Sequence, residues 1–284
     1  MASGVTILIK TPVRFLLFIA ALCTYSLAAH ADESSDPGLD LQRWELRAGV
    51  FGLTTDAKVG STRNGRPPFI LDLSALGIDE SVTEPWLSLT APIGSNWNVR
   101  LEYFGYSEDG TQTVQQGFEY DDLVVSAGSI VQSDLGVDLL IANFGYLWRT
   151  KDRGEFRIGL GVHMADLDYG IRATLIVNDV IISEGAAREE LLAPLPNLYL
   201  GGAYRFSPRF LGRAKFGWLS LSYGDWDGEL LSGSVDLEYE FSDRFGVGLG
   251  YVDIDMDVKY DDSVGREVYE LEMEGPLLFF RASF

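Results

Sequence analysis

Residues 267–284 read Glu267-Val268-Tyr269-Glu270-Leu271-Glu272-Met273-Glu274-Gly275-Pro276-Leu277-Leu278-Phe279-Phe280-Arg281-Ala282-Ser283-Phe284. Counting back in twos from Phe284 gives Ala282, Phe280 and Leu278, and the residues between are Ser283, Arg281 and Phe279. One face is apolar and the other mostly polar, the period of a strand with unlike sides. A water-soluble chain seldom closes such a strand on an unpaired aromatic residue. A strand that must pair with the first strand of a closed sheet and face lipid has a physical reason to. The stretch therefore predicts an all-β fold, an antiparallel up-and-down transmembrane barrel. Phe280 and Phe284 are its expected membrane-assembly signal.

Residues 1–31 have the pattern of a targeting segment. Lys10 and Arg14 precede the apolar run from Phe15 to Leu22, and Ala29-His30-Ala31 supplies the small residues of a cleavage site. The apolar run is shorter than the ~20 residues that a helix needs to cross a bilayer. The one cysteine, Cys23, lies in this segment and follows Leu22, where a lipoprotein signal needs a small residue. The chain expected after cleavage has no disulfide, thiolate metal site or cysteine nucleophile. Its one histidine is His163. The segment holds two of the 22 basic residues and none of the 42 acidic ones, so residues 32–284 carry 20 − 42 = −22. That balance argues against a nucleic-acid partner, which needs a basic face.

Residues 32–42 are polar, a flexible periplasmic lead-in, and 43–284 form the barrel domain. Ten stretches alternate. They run from Trp44 to about Thr55, Trp86 to Ile93, Trp97 to Ser107, Asp134 to Trp148 and Glu155 to about Val177. The others are Leu195 to Phe206, Phe210 to Asp225, a strand from about Glu229 to Phe241, Phe245 to Lys259, and the final stretch. The count is about ten, with eight or twelve as alternatives. An even number leaves both ends on the periplasmic side. Short turns then fall near 95, 152, 208 and 243, and the long connections 58–83, 108–130 and 178–194 fall outside the cell. Asn64-Gly65-Arg66-Pro67-Pro68 is a loop signal. Phe69, Ile70, Leu73 and Leu76 have helical spacing, which predicts an apolar segment folded over or into the mouth. Parity slips near Trp218, which predicts a bulge.

The polar faces predict a charge network in the lumen: Arg100, Glu102, Arg157, His163, Arg205, Arg213, Lys215, Asp236, Glu238, Glu240, Glu270, Glu272 and Glu274. Small barrels are filled by side chains and open channels belong to larger ones. A salt-bridged plug is the first reading, and a narrow path for ions or solutes is the second. In the last strand Glu270, Glu272 and Glu274 share parity with Leu278, Phe280 and Phe284. Lumen glutamates therefore require a change of face near Gly275-Pro276, by a bulge at a residue without a ladder donor. Asp253, Asp255 and Asp257 resemble a calcium loop, but its sixth and twelfth positions are Val258 and Val264 rather than Gly and Glu. With the acidic residues at 119–122 they could gather divalent cations at the lipopolysaccharide surface. His163 has Asp166 and Asp168 near it in sequence, and Ser220 and Ser222 as candidate nucleophiles, but no hydrolase motif.

The aromatic-rich hairpins and Phe-terminated strand resemble the OmpW-like and OmpA-barrel-like small porins. A nearer resemblance is to uncharacterised proteobacterial outer-membrane barrels of similar length. It is carried by Leu71-Asp72-Leu73 through Leu76-Gly77-Ile78-Asp79-Glu80-Ser81, by Trp97 to Tyr106, and by Ala193-Pro194-Leu195-Pro196. Asp225-Trp226-Asp227-Gly228 and Gly250-Tyr251-Val252-Asp253-Ile254-Asp255 also carry it. It implies no defined activity. The omptin proteases are similar in strand count and size, yet their Asp pair and His–Asp pair find no match here. The expectation is a monomer in the outer membrane of a Gram-negative cell, with no catalysis, metal or cofactor, structural or passing small solutes. Its partners are membrane lipid, lipopolysaccharide and the barrel-assembly machinery. The alternatives are a hydrolase of lipid or peptide using His163, and a surface receptor or adhesin using the acidic loops.

Overall fold

The computed structural model describes residues 43–63, 69–120, 123–150, 153–178, 180–261 and 265–284. The expected leader, the lead-in, the Asn64–Pro68 loop signal and the acidic residues Asp121 and Asp122 lie outside them. The strands are β1 (Glu45–Arg63), β2 (Phe69–Asp72), β3 (Ser81–Ile93), β4 (Trp97–Thr113), β5 (Phe118–Tyr120), β6 (Leu123–Val125) and β7 (Ile130–Thr150). They continue as β8 (Gly154–Val177), β9 (Val180–Ser207), β10 (Phe210–Tyr223), β11 (Trp226–Glu240), β12 (Phe245–Asp261) and β13 (Gly265–Ser283).

Ten of these form one antiparallel ring in the order β13-β12-β11-β10-β9-β8-β7-β4-β3-β1, closed by β13 on β1. At the seam Glu45 stands opposite Ser283. Below it the Trp44 amide donates to the Phe284 carbonyl and the Phe284 amide to the Trp44 carbonyl, each at 3.0 Å. Phe284 is thus part of the closing ladder, with its ring exposed on the outer face.

Two layers follow from the burial of alternate residues. Toward the termini the outer face is apolar: Leu46, Val50, Leu101, Leu160, Leu249, Leu278 and Phe280 are all exposed there. Rings meet at the rim of this belt. Trp97 stacks on Phe144 at 4.8 Å, and Phe245 lies 5.7 Å from Phe280. At the other rim the Tyr103 hydroxyl donates to Asp138 at 2.5 Å and the Tyr251 hydroxyl to Glu274 at 2.7 Å. Tyrosines with an apolar body and a hydroxyl reaching toward charge suit the bilayer–water boundary. On β13 the belt runs from Pro276 to Phe284, nine residues, the length at which a tilted strand crosses hydrocarbon, about 9–11 residues.

Above that line the polarity of both faces inverts. The lumen side becomes a dry core of Phe51, Leu53, Phe104, Leu139, Ile254, Met273 and others. The outer side becomes acidic, with Asp255 opposite Glu272 and Asp253 opposite Glu274. Each large core side chain removed from water contributes about 1.5–3 kcal/mol. The half beyond the belt is therefore built like a water-soluble protein, and the membrane half is its reverse.

Of the segment expected at the mouth with helical spacing, only the second half is helical: Phe69–Asp72 is strand β2, paired with Lys58–Ser61 of β1, and Ile70 is exposed. Leu73–Leu76 is a short 3-10 helix capped by Asp72 and by Gly77 in the left-handed region, with Leu73 and Leu76 buried. Several strand ends differ from expectation, and β3 and β7 begin before their expected starts, at Ser81 and Ile130. Residues 180–194, expected as loop, are strand, and β1 and β4 likewise continue beyond their expected ends. No bulge occurs at Trp218: β10 keeps register with β11 through Trp218↔Leu231 and Leu219↔Leu230. β13 does not change face. Its register with β1 is the same at Leu277↔Phe51 and Glu274↔Thr54, on either side of the gap left by Gly275 and Pro276. Gly275 takes a φ of 154°, and a Cβ there would stand 1.9 Å from the Gly52 carbonyl oxygen. The acidic row follows the lipid-facing row on one face because the strand leaves the bilayer between them.

Candidate functional site

The floor of the lumen is charged. Among the described residues it holds seven cations, Arg47, Arg100, Arg157, Arg205, Arg213, Lys215 and Arg281. Against them stand six anions, Glu45, Glu102, Glu155, Asp236, Glu238 and Glu240. Period two sets these side chains inward, and hydrocarbon on the other side of each strand forbids the reverse. The charges nearly cancel, at 7 − 6 = +1, so the acidic excess of the chain lies elsewhere.

Glu238 is the hub. It is fully buried and stands 2.6 Å from Arg281, 3.0 Å from Arg213 and 3.6 Å from Arg47. Arg47 and Arg281 face each other directly across β1 and β13. Two guanidinium groups so placed would repel, but Glu238 stands against both, and Glu45 lies 2.8 Å from Arg47 and 3.7 Å from Arg281. Glu45 also accepts from Arg213 at 2.8 Å. Glu240 ion-pairs with Arg281 at 2.9 Å and with Arg205. Arg157 pairs with Glu155. The Arg100 Nε donates to the Thr90 hydroxyl at 3.1 Å.

Over this floor Lys215 donates to both oxygens of Glu102, at 2.5 and 2.6 Å. The pair borders a small cavity of about 30 Å³ lined also by Asn143, His163, Asn197 and Ser234. The Asn143 Oδ1, His163 Nδ1, Asn197 Oδ1 and Ser234 Oγ atoms are buried without a protein partner. Gly161 and Gly217 keep the space open, since a Cβ at Gly161 would lie 2.3 Å from Asn143 Oδ1 and one at Gly217 2.4 Å from Asn197 Nδ2. The size and polarity suit one or two water molecules.

Trp86, Phe104 and Ile254 border this chamber, beneath the extracellular core. A second cavity of about 30 Å³ higher up is lined by Val59, Leu73, Leu135, Tyr169, Glu189, Tyr269 and Leu271. Glu189 accepts from the Tyr120 and Tyr269 hydroxyls, both at 3.1 Å. This ties the β5–β6 hairpin to β9 and β13. Burial first, then Tyr169 and Glu189, raise the Tyr120 phenol above its usual value, so it stays a donor.

Ten of the expected lumen residues do come together there: Arg100, Glu102, Arg157, His163, Arg205, Arg213, Lys215, Asp236, Glu238 and Glu240. Glu270, Glu272 and Glu274 do not. Glu272 and Glu274 are exposed on the outer face, and Glu270 is half-buried on the same row opposite Lys58. Four network members were absent from the expected set: Glu45, Arg47, Glu155 and Arg281. The alternation of Arg281 and Ser283 against Phe280 and Phe284 carried the signal for one of them. The hydrolase constellation does not assemble. His163 points inward, while Asp166, Asp168, Ser220 and Ser222 lie on the outer parity of their strands. Among the described residues, no group of three or more His, Cys, Asp or Glu side chains is set to hold a metal ion.

No family model and no curated protein matches this sequence. Among solved structures the chain is similar to the outer membrane protease OmpT from Escherichia coli, at 9% identity and a TM-score of 0.56. That match covers 86% of this chain and 98% of the other. The outer membrane protein OprG from Pseudomonas aeruginosa matches at 15% identity and a TM-score of 0.34, over 87% and 98% of the two chains. The toluene transporter TodX from P. putida matches at 12% and 0.34, over 88% and 93%. At these identities the OmpT match carries the fold, an outer-membrane β-barrel, and nothing of its activity.

Proposed function

We propose that this chain is a sealed barrel of the outer membrane, without a solute path and without catalysis, that works at its extracellular end as a surface receptor. The observation that supports this most is the filled lumen. A paired charge layer lies below, a small polar chamber sits above it, and an apolar core continues toward the mouth. An ion would have to displace buried pairs and then cross a dry layer, and each step is costly. The walls that rise beyond the bilayer, β8 and β9 above all, are the part offered to the surroundings.

The barrel stands as a monomer in this reading, held by lipid against its belt and by lipopolysaccharide around its outer acidic collar. Phe280 and Phe284 serve as the signal for the assembly machinery. Liposomes carrying the refolded chain, tested by swelling in small sugars and amino acids, are expected to match protein-free liposomes. Swelling that scales with protein content would overturn the sealed reading. Hydrolysis of lipid A or of peptides that is lost in His163→Ala would overturn the non-catalytic one.

A further inference from the structure

β9 is paired with β8 from Val180 to Tyr204, but with β10 only from Leu198 to Ser207. β10 goes on to Tyr223 paired with β11 alone. Above the bilayer the ring is therefore unzipped between β9 and β10. Leu221 marks the gap: it has lumen-facing parity, yet it is 49% exposed. Along residues 180–197 of β9, every second residue turns its backbone N–H and C=O toward that gap, with no strand opposite among the described residues.

Proteins normally blunt such an edge with proline, lysine or a bulge. Pro194 and Pro196 do this close to the membrane. A register shift against β8 at Ile182 interrupts the tip, but from Ser183 to Ala193 there is no proline, lysine or further shift, and these eleven residues span about 36 Å at ~3.3 Å each. The gap is also acidic. Glu184 and Glu190 lie exposed on β9, and Asp225, Asp227 and Glu229 on the far side. The cation on this stretch of β9, Arg188, is paired with Asp168 at 2.6 Å, and Lys259 stands opposite Asp227 on β12.

An open edge supplies main-chain pairing and its flanking charges select the guest. We infer that the extracellular edge of β9 takes up an extended cationic polypeptide as an added strand. This rests on the receptor reading above and names its ligand class. A second copy of the chain is disfavoured, because the same acidic row would face itself.

The test uses the full chain in lipid nanodiscs and a peptide of about twelve residues alternating lysine and valine. Hydrogen exchange is followed at 180–193, alongside the affinity. The peptide is expected to protect 180–193. N-methylation of one alternate set of its amides is expected to weaken binding at least about tenfold, because it removes the donors that pair with β9. The Glu184→Gln/Glu190→Gln barrel, which folds alike because both groups are exposed, is expected to bind more weakly by a factor that shrinks with added salt. Three results would overturn the inference: no protection of 180–193, binding that neither methylated set weakens, or protection that rises with barrel concentration in the absence of peptide. Liposome swelling measured on the same refolded protein separates the two readings, since a leaking barrel could still protect this edge and a sealed one could fail to.

Discussion

Glu238→Gln changes one charge at constant volume in the centre of the lumen floor. The carboxylate is fully buried and stands between three guanidinium groups at 2.6, 3.0 and 3.6 Å. Glutamine leaves no cavity, so no packing loss enters. What remains is the loss of the counter-charge, which moves the floor from +1 to +2 and leaves Arg213 and Arg281 with one partner fewer. Breaking a buried pair from one side costs about 3–5 kcal/mol. Urea unfolding of the barrel in lipid vesicles, followed by tryptophan fluorescence, reads this as a lower midpoint at unchanged slope. Glu272→Gln, on the exposed outer row, serves as control and should stay within about 0.5 kcal/mol. A loss below about 1 kcal/mol for Glu238→Gln would mean that water, and not the arginines, solvates this carboxylate, and would refute the paired floor.

Phe279→Ala should cost about 3–5 kcal/mol in the same assay, because the ring is buried against Trp86 at 5.8 Å and beneath the Arg47 guanidinium at 5.1 Å. Glu272→Lys should raise the midpoint, by about 0.5–1 kcal/mol, since Glu272 lies in register with both Asp56 and Asp255 and the change turns two like-charge neighbours into opposite ones. Hydrogen bonding from Arg266 lowers the Asp261 carboxyl below its usual value. A depressed folded value stabilises the hairpin above the ordinary carboxylate range and is lost as pH falls through that lowered value. An NMR titration should therefore place the Asp261 midpoint below that of a free aspartate in the native chain and restore it in Arg266→Gln.

The ring of ten strands was legible because the bilayer forces strict alternation in its lower half. The strand from Glu229 to Phe241 and the closing stretch show it without a break. The charged floor was legible for the same reason, as Arg213 and Lys215 on one strand and Asp236, Glu238 and Glu240 on the next share a face. What failed lies above the membrane line. There the outer face no longer needs to be apolar and the inner face no longer needs to be polar. Ser220 and Ser222 outside with Leu219 inside therefore look like a slip in parity when the strand has none. Glu272 and Glu274 look like lumen residues for the same reason. Residues 180–194 look like loop because Glu184, Arg188 and Glu190 fall where a lipid-facing strand has Leu or Val. The cross-barrel partners of Glu45 and Arg281 depend on ring closure, which no local pattern specifies.

Single-channel recording of the refolded chain in a planar bilayer tests the sealed lumen most directly. The account predicts a current indistinguishable from the bare bilayer at either polarity, across neutral to mildly acidic pH. Discrete, voltage-independent steps that scale with salt concentration would show a continuous water path through the charged floor and the apolar core, and would contradict it.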